Sequence, residues 1–140
     1  QKIKSKCKSN KVYVYLHINN EEYEFKLDTG FLGTFVIPFD QKINFEGFDS
    51  LSYEGSLFNT ATSSTDGEEN FYENIPVTLG DIKLNSTILV SKTIKNQNAG
   101  INFIKCFDWV IDYKENSVYV KKNNIDLKSK NNESQSHNPN

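Results

Sequence analysis

The sequence predicts an all-β domain, and three observations carry that prediction. Apolar and polar residues alternate with period two over Val12, Val14, Leu16 and Ile18, and again over Tyr23, Phe25 and Leu27, which sends one set to a buried face and the other to solvent. Turn-forming pairs, Asn19–Asn20 and Gly80–Asp81, stand between extended runs. Helical spacing of apolar residues occurs in one short stretch after Gly100, at positions 101, 103, 104 and 107. At 140 residues the chain has the size of one domain.

The elements follow in order. Val12 to Ile18 and Tyr23 to Leu27 form a hairpin that ends at Asp28. Thr34 to Pro38 is a short apolar run rich in β-branched residues, read as a strand, and Asp40 to Phe48 is a loop or a helical turn. Leu51 to Thr62 and Asn70 to Leu79 are the two arms of a long hairpin whose tip, Ser63 to Gly67, is polar and rich in turn residues. Lys83 to Val90 is a further strand, Ile101 to Phe107 a helix of about two turns, and Trp109 to Tyr113 with Val118 to Val120 a closing hairpin. The domain is expected to span residues 1–122. Residues 123–140, dominated by Asn, Lys, Ser and Gln, have too little apolar surface to offset their ordering entropy and are expected to form a disordered tail or linker.

Composition narrows the function. Sixteen cationic residues, every one of them Lys, face eighteen acidic ones for a net charge of -2, without a basic block. Nucleic acid is therefore not expected as a partner. The absence of Arg removes bidentate guanidinium recognition of carboxylate or phosphate. No apolar run approaches the roughly 20 residues of a membrane-spanning helix. Cys7 and Cys106 make no metal-ligand spacing with His17 or His137; they are read as two buried free thiols or, in an oxidising compartment, as a disulfide. The chain opens on Gln1 and contains no Met, which reads as a processed product or a piece of a longer polypeptide.

The candidate for chemistry is the run Phe25-Lys26-Leu27-Asp28-Thr29-Gly30, in which a hydrophobic strand delivers a carboxylate into a tight turn. An Asp-Thr-Gly triplet by itself is an ordinary surface turn. Here it precedes Thr34-Phe35-Val36-Ile37-Pro38, then Ala99-Gly100-Ile101-Asn102-Phe103-Ile104, then Val110-Ile111-Asp112-Tyr113. These blocks, in this order over roughly residues 10–122, resemble the retropepsin-like aspartic proteases. The resemblance implies a closed β-barrel lobe with one short helix after Gly100. It also implies Asp28 as the catalytic carboxylate, Thr29 and Gly30 as support for its loop, and Gly100 as the structural glycine of the psi-loop threading behind it. Residues 54–67 would close as a flap over an extended polypeptide substrate, with Phe31, Gly55, Thr65 and Gly67 as substrate-binding positions.

The same resemblance implies no metal and no organic cofactor. The partner is a second protease lobe, from an identical subunit or a neighbouring domain, because Asp108 and Asp112 read as strand-end and turn residues and one chain offers one suitable Asp. One chain alone is then expected to be catalytically silent. The family's setting implies an exported bacterial protein, periplasmic or on the cell surface. Two positions depart from the family pattern: Phe31 stands where Ala or Ser is usual, at the mouth of the site, and Ala99 replaces a larger aliphatic residue. Phe31, Gly33 and Pro38 resemble the second lobe of two-lobed bacterial relatives. The competing reading keeps the fold as a non-catalytic peptide-binding or dimerisation module, with Phe31 blocking the water site. A generic β-sandwich with a chance turn at Asp28 is the third.

Overall fold

The computed structural model describes residues 1–41, 43, 45, 50–54 and 68–127. Its first sheet begins as a meander of β2 (Ser5–Lys8), β3 (Lys11–Ile18) and β4 (Glu21–Leu27). The expected alternation holds: Val12, Val14, Leu16 and Ile18 of β3 are buried and His17 is exposed, while β4 buries Tyr23 and Phe25. Asn19 and Asn20, with φ of 53° and 66°, make the two-residue turn between β3 and β4. Ser9 and Asn10, at 53° and 62°, make the same turn between β2 and β3. Two consecutive left-handed residues give a turn whose twist matches that of the strands it joins.

β5 (Phe35–Pro38) is buried throughout and runs parallel to β8 (Ile82–Ser91). β7 (Glu68–Leu79) pairs antiparallel with β8 across the Gly80–Asp81 turn, where Gly80 takes φ of 57°. The expected long hairpin is present at its base, where β6 (Ser50–Glu54) pairs with β7 from Ser50↔Tyr72 to Glu54↔Glu68. Its tip, and with it Gly55, Thr65 and Gly67, lies outside the described residues. A register shift between Tyr72 and Ile75 coincides with Asn74 at φ 58°, a bulge that bends the strand.

β9 (Asn98–Ala99) lies between β4, to which it is parallel, and β5, to which it is antiparallel. Pairings therefore run round a ring of β3, β4, β9, β5, β8 and β7, with β7 returning to β3 through His17↔Thr78 and Ile18↔Val77. The second sheet is three-stranded, in the order β1 (Lys2–Ile3), β11 (Ser117–Lys122), β10 (Phe107–Asp112). The two short strands at the start of the chain, β1 and β2, have no counterpart in the sequence reading. In that segment Lys alternates with Ile3, Ser5 and Cys7, too little apolar character to signal a strand.

Helix α1 covers Ile101–Ile104, shorter than the stretch to Phe107 that apolar spacing predicts. Ile, Asn and Phe are weak helix formers, and Phe107 is drawn into β10, where it pairs with Lys122. The helix nevertheless reaches into the core through Phe103, its buried residue. Phe103 lies with its ring centroid 4.9 Å from Phe35 and 5.2 Å from Phe107, and Phe35 lies 5.2 Å from Phe25. This aromatic series joins the strand that leads to Asp28, the strand that leaves its loop, and the second sheet. Trp109 completes it, its indole Nε1 donating to Ile104 O at 2.8 Å.

The two cysteines are not joined in a disulfide: Cys106 is buried, its Sγ donating to Asn102 O at 3.3 Å, and Cys7 is half-buried. After β11, Asn123 donates from its backbone to Cys106 O and from Nδ2 to Lys105 O, and Leu127 packs on the core. Residues 128–140, most of the expected tail, lie outside the described residues. No helix among the described residues is long and apolar enough to cross a membrane.

Candidate active site

Asp28 is the first residue past β4. Its amide donates to Ala99 O at 2.9 Å, continuing the parallel β4–β9 ladder by one more bond. Its carbonyl accepts from the Phe31 amide at 3.1 Å, closing a turn over Thr29 and Gly30. Its carboxylate Oδ1 accepts from the Gly30 amide at 2.9 Å. Asp is suited to such a turn because its short side chain reaches a backbone N–H two residues on, and that bond fixes the orientation of the carboxylate. Asp28 is half-buried, whereas Thr29 and Gly30 are exposed. A Cβ on Gly30 would stand 3.2 Å from Asp28 Oδ1, so a glycine leaves room around the carboxylate.

The remainder of the loop is fastened to the segment around Gly100. Ile101 N donates to Phe31 O at 2.9 Å, Asn102 N to Gly33 O at 3.1 Å, and Gly100 N to Thr34 O at 2.7 Å. Gly100 is required at this crossing. A Cβ there would come within 2.6 Å of Phe31 O and Phe31 Cδ2, and closer still to Gly33 O. The two chain segments pass at backbone contact, which a side chain would prevent. The structure thus brings Asp28, Thr29, Gly30, Phe31 and Gly100 into one constellation.

Phe31 is half-buried and its ring lies against Gly33 and Gly100. Gly33 is the residue that the sequence reading left without a role. Its signal was available, since a second glycine soon after the turn marks a place of close approach. Gln97 was also missed: its carbonyl accepts from Lys26 N at 3.0 Å and its Nε2 donates to Glu24 O at 2.8 Å, holding the approach to β9 against β4.

The other carboxylates considered serve elsewhere. Asp112 Oδ1 accepts from Glu115 N at 3.1 Å and shapes the β10–β11 turn. Asp108 is exposed, its Oδ1 3.5 Å from Asn123 Nδ2. Glu24 belongs to a ladder on the outer face of β2–β4, accepting from Tyr15 Oη and lying 3.0 Å from Lys6 Nζ. The Tyr15 hydrogen bond and the Lys6 ammonium hold the Glu24 carboxyl below its usual range against the opposing effect of burial. The same bond to Glu24, followed by burial, pushes the Tyr15 phenol up to about 12. A polar hollow of about 400 Å³ opens beside this ladder, lined by Lys11, Tyr13, Lys26 and Gln97 among others. Asp28 does not line it, so the hollow and the loop chemistry are separate features of the surface.

Comparison with known proteins adds a structural likeness. No protein-family profile matches the sequence, and no curated protein matches it. Among solved structures, the chain is similar to the crystal structure of a retropepsin-like aspartic protease from Rickettsia conorii, with a TM-score of 0.57 and 15% identity. The match covers 86% of this chain and 88% of that one. The fold is that of a retropepsin-like all-β lobe. At this level of identity the likeness is one of fold, and function has to be argued from the site.

Proposed function

We propose that this chain is one lobe of an aspartic endopeptidase, in which Asp28 supplies one of two carboxylates that share a proton across an interface with a second lobe. The supporting observation is the setting of Asp28: a carboxylate at a strand end, oriented by the Gly30 amide, in a loop pinned to the Gly100 segment. Thr29 and Gly30, both exposed, form the side of the loop that a second lobe would meet. With Asp108 and Asp112 engaged away from the loop, the second carboxylate comes from a second copy of the chain or an adjoining domain.

The chemistry follows from charge. Two carboxylates brought within about 3 Å cannot both ionise, a general property of aspartic-protease dyads. The ionised member takes a proton from the attacking water, whose oxygen bonds to the scissile carbonyl carbon. The protonated member donates to the carbonyl oxygen. Collapse of the resulting tetrahedral species breaks the C–N bond: the carboxyl that took the water proton gives it to the leaving amine, and the other carboxylate takes back a hydroxyl proton as the carbonyl re-forms. Carboxylates and water carry every step. On this reading residues 54–67 act as the flap over an extended substrate peptide, with Gly55, Thr65 and Gly67 as the substrate-binding positions assigned above.

The first measurement is the solution mass by light scattering from neutral to mildly acidic pH. A dimer makes a two-fold enzyme self-sufficient, and a strict monomer directs the search to an adjoining lobe. In a preparation holding both lobes, Asp28→Ala is expected to abolish pepstatin-sensitive peptide cleavage while leaving the fold intact. Cleavage that survives Asp28→Ala refutes the proposal. Peptide binding that survives it, with no cleavage at any acidic or neutral pH, identifies a binding module instead.

A further inference from the structure

The loop from Asp28 to Thr34 contains two glycines, Gly30 and Gly33. Holding so permissive a segment in one shape costs conformational entropy, and the backbone bonds to Ala99, Gly100, Ile101 and Asn102 offset part of that cost. Two large apolar side chains belong to the loop, and they behave oppositely. Leu32 is 77% exposed. Phe31 folds back: its Cζ, Cε1 and Cε2 lie 2.5, 3.0 and 3.2 Å from where a Cβ of Gly33 would stand, and its Cδ2 lies 2.6 Å from where a Cβ of Gly100 would stand. The ring thus fills the space that both glycines leave empty.

We propose that Phe31 is the positioning residue of the Asp28 loop, its ring clamped across Gly33 and Gly100 so that the loop and the Gly100 segment hold one arrangement. The backbone of Phe31 transmits this at both ends. Its N–H donates to Asp28 O and its C=O accepts from Ile101 N, so a shift of the residue displaces the carboxylate and the helix start together. The ring lies against the two glycines, so a bulky residue at this position serves the packing of the loop. The catalytic consequence rests on the peptidase reading above, whereas the clamp is a property of the folded lobe.

Amide hydrogen exchange tests the clamp directly. Phe31→Ala is expected to speed exchange of the Asp28, Gly100, Ile101 and Asn102 amides by roughly tenfold or more while β3–β4 amides change less than about twofold, with Phe31→Leu in between. Gly33→Ala displaces the ring and is expected to produce the same local acceleration. Added to Phe31→Ala it is expected to produce no further change, the non-additivity of residues in contact. In the two-lobed enzyme, Phe31→Ala is expected to lower kcat by roughly 10²-fold, the effect of a displacement of about 1 Å at the reacting group, with KM nearly unchanged. The proposal is overturned by unaltered exchange at these amides, by uniform acceleration across the lobe, by a change confined to KM, or by faster cleavage. If the wild-type two-lobed preparation cleaves no peptide, the peptidase reading has failed, and the exchange comparison still decides the clamp.

Discussion

Replacing Gly100 by Ala tests whether the crossing beneath the Asp28 loop holds the lobe together. Gly100 has φ of -95° and ψ of -175°, extended backbone open to any residue, so the substitution strains no dihedral and its whole effect is steric. The added methyl would sit 2.6 Å from Phe31 O and nearer still to Gly33 O. These two carbonyls accept from Ile101 N and Asn102 N, so relief of the clash pulls both bonds apart. Overpacking costs about 1–3 kcal/mol, and two lost hydrogen bonds add about 1–3 kcal/mol. The sum, about 2–6 kcal/mol, is a large share of the roughly 5–15 kcal/mol that holds a domain folded. With a urea slope of about 2 kcal/mol per molar, the unfolding midpoint falls by about 1–3 M. Phe31→Ala is not expected to rescue the variant, because it removes the Cδ2 contact and leaves both carbonyl oxygens in the way. A midpoint within about 0.3 M of wild type would refute the argument, since the two segments would then have room to part at little cost.

Three further outcomes are expected. Gly30→Ala, whose Cβ would crowd Asp28 Oδ1 at 3.2 Å, should leave the urea midpoint nearly unchanged and reduce cleavage in the two-lobed enzyme; equal activity would show that the carboxylate is not confined there. Glu24→Gln should return the Tyr15 phenol from about 12 toward its ordinary value of 10.0, read by ultraviolet titration of the tyrosinates. Because the folded Tyr15 value is raised, its contribution to stability is complete below pH 10 and is lost between about pH 10 and 12. The lowered Glu24 carboxyl acts at the other end: its contribution is present above the ordinary carboxylate range and is lost as pH falls through the depressed value. Asn20→Val places a β-branched residue at φ 66° and should cost about 1–2 kcal/mol in chemical denaturation, whereas Asn20→Gly should be tolerated.

Much of the strand framework was legible because it rests on local rules. Val12 to Ile18 and Tyr23 to Leu27 alternate strictly, and Asn19–Asn20 is a pair able to adopt two left-handed conformations in succession, so the β3–β4 hairpin could be placed to within two residues. The Asp-Thr-Gly turn was legible for the same reason. What failed was nonlocal. The sequence reading gave the apolar residues from Ile101 to Phe107 to one helix, because the spacing of Phe107 fits a helix as well as it fits a strand; pairing with Lys122 decides between them. Strands β1 and β2 escaped because their stability comes from β11 and β3, with little apolar content of their own.

The site divides along the same line. A carboxylate followed by Thr and Gly at the end of an apolar strand is written in consecutive residues, and sequence alone determined that Asp28 leaves the sheet in a tight turn. That Phe31 turns its ring onto Gly33 and Gly100 is decided by a crossing of segments about 70 residues apart. A lone phenylalanine after the turn reads as an obstruction at the mouth of a site. Only the tertiary structure supplies the two absent side chains whose space it fills, because close packing is a property of segments brought together and no single segment carries it.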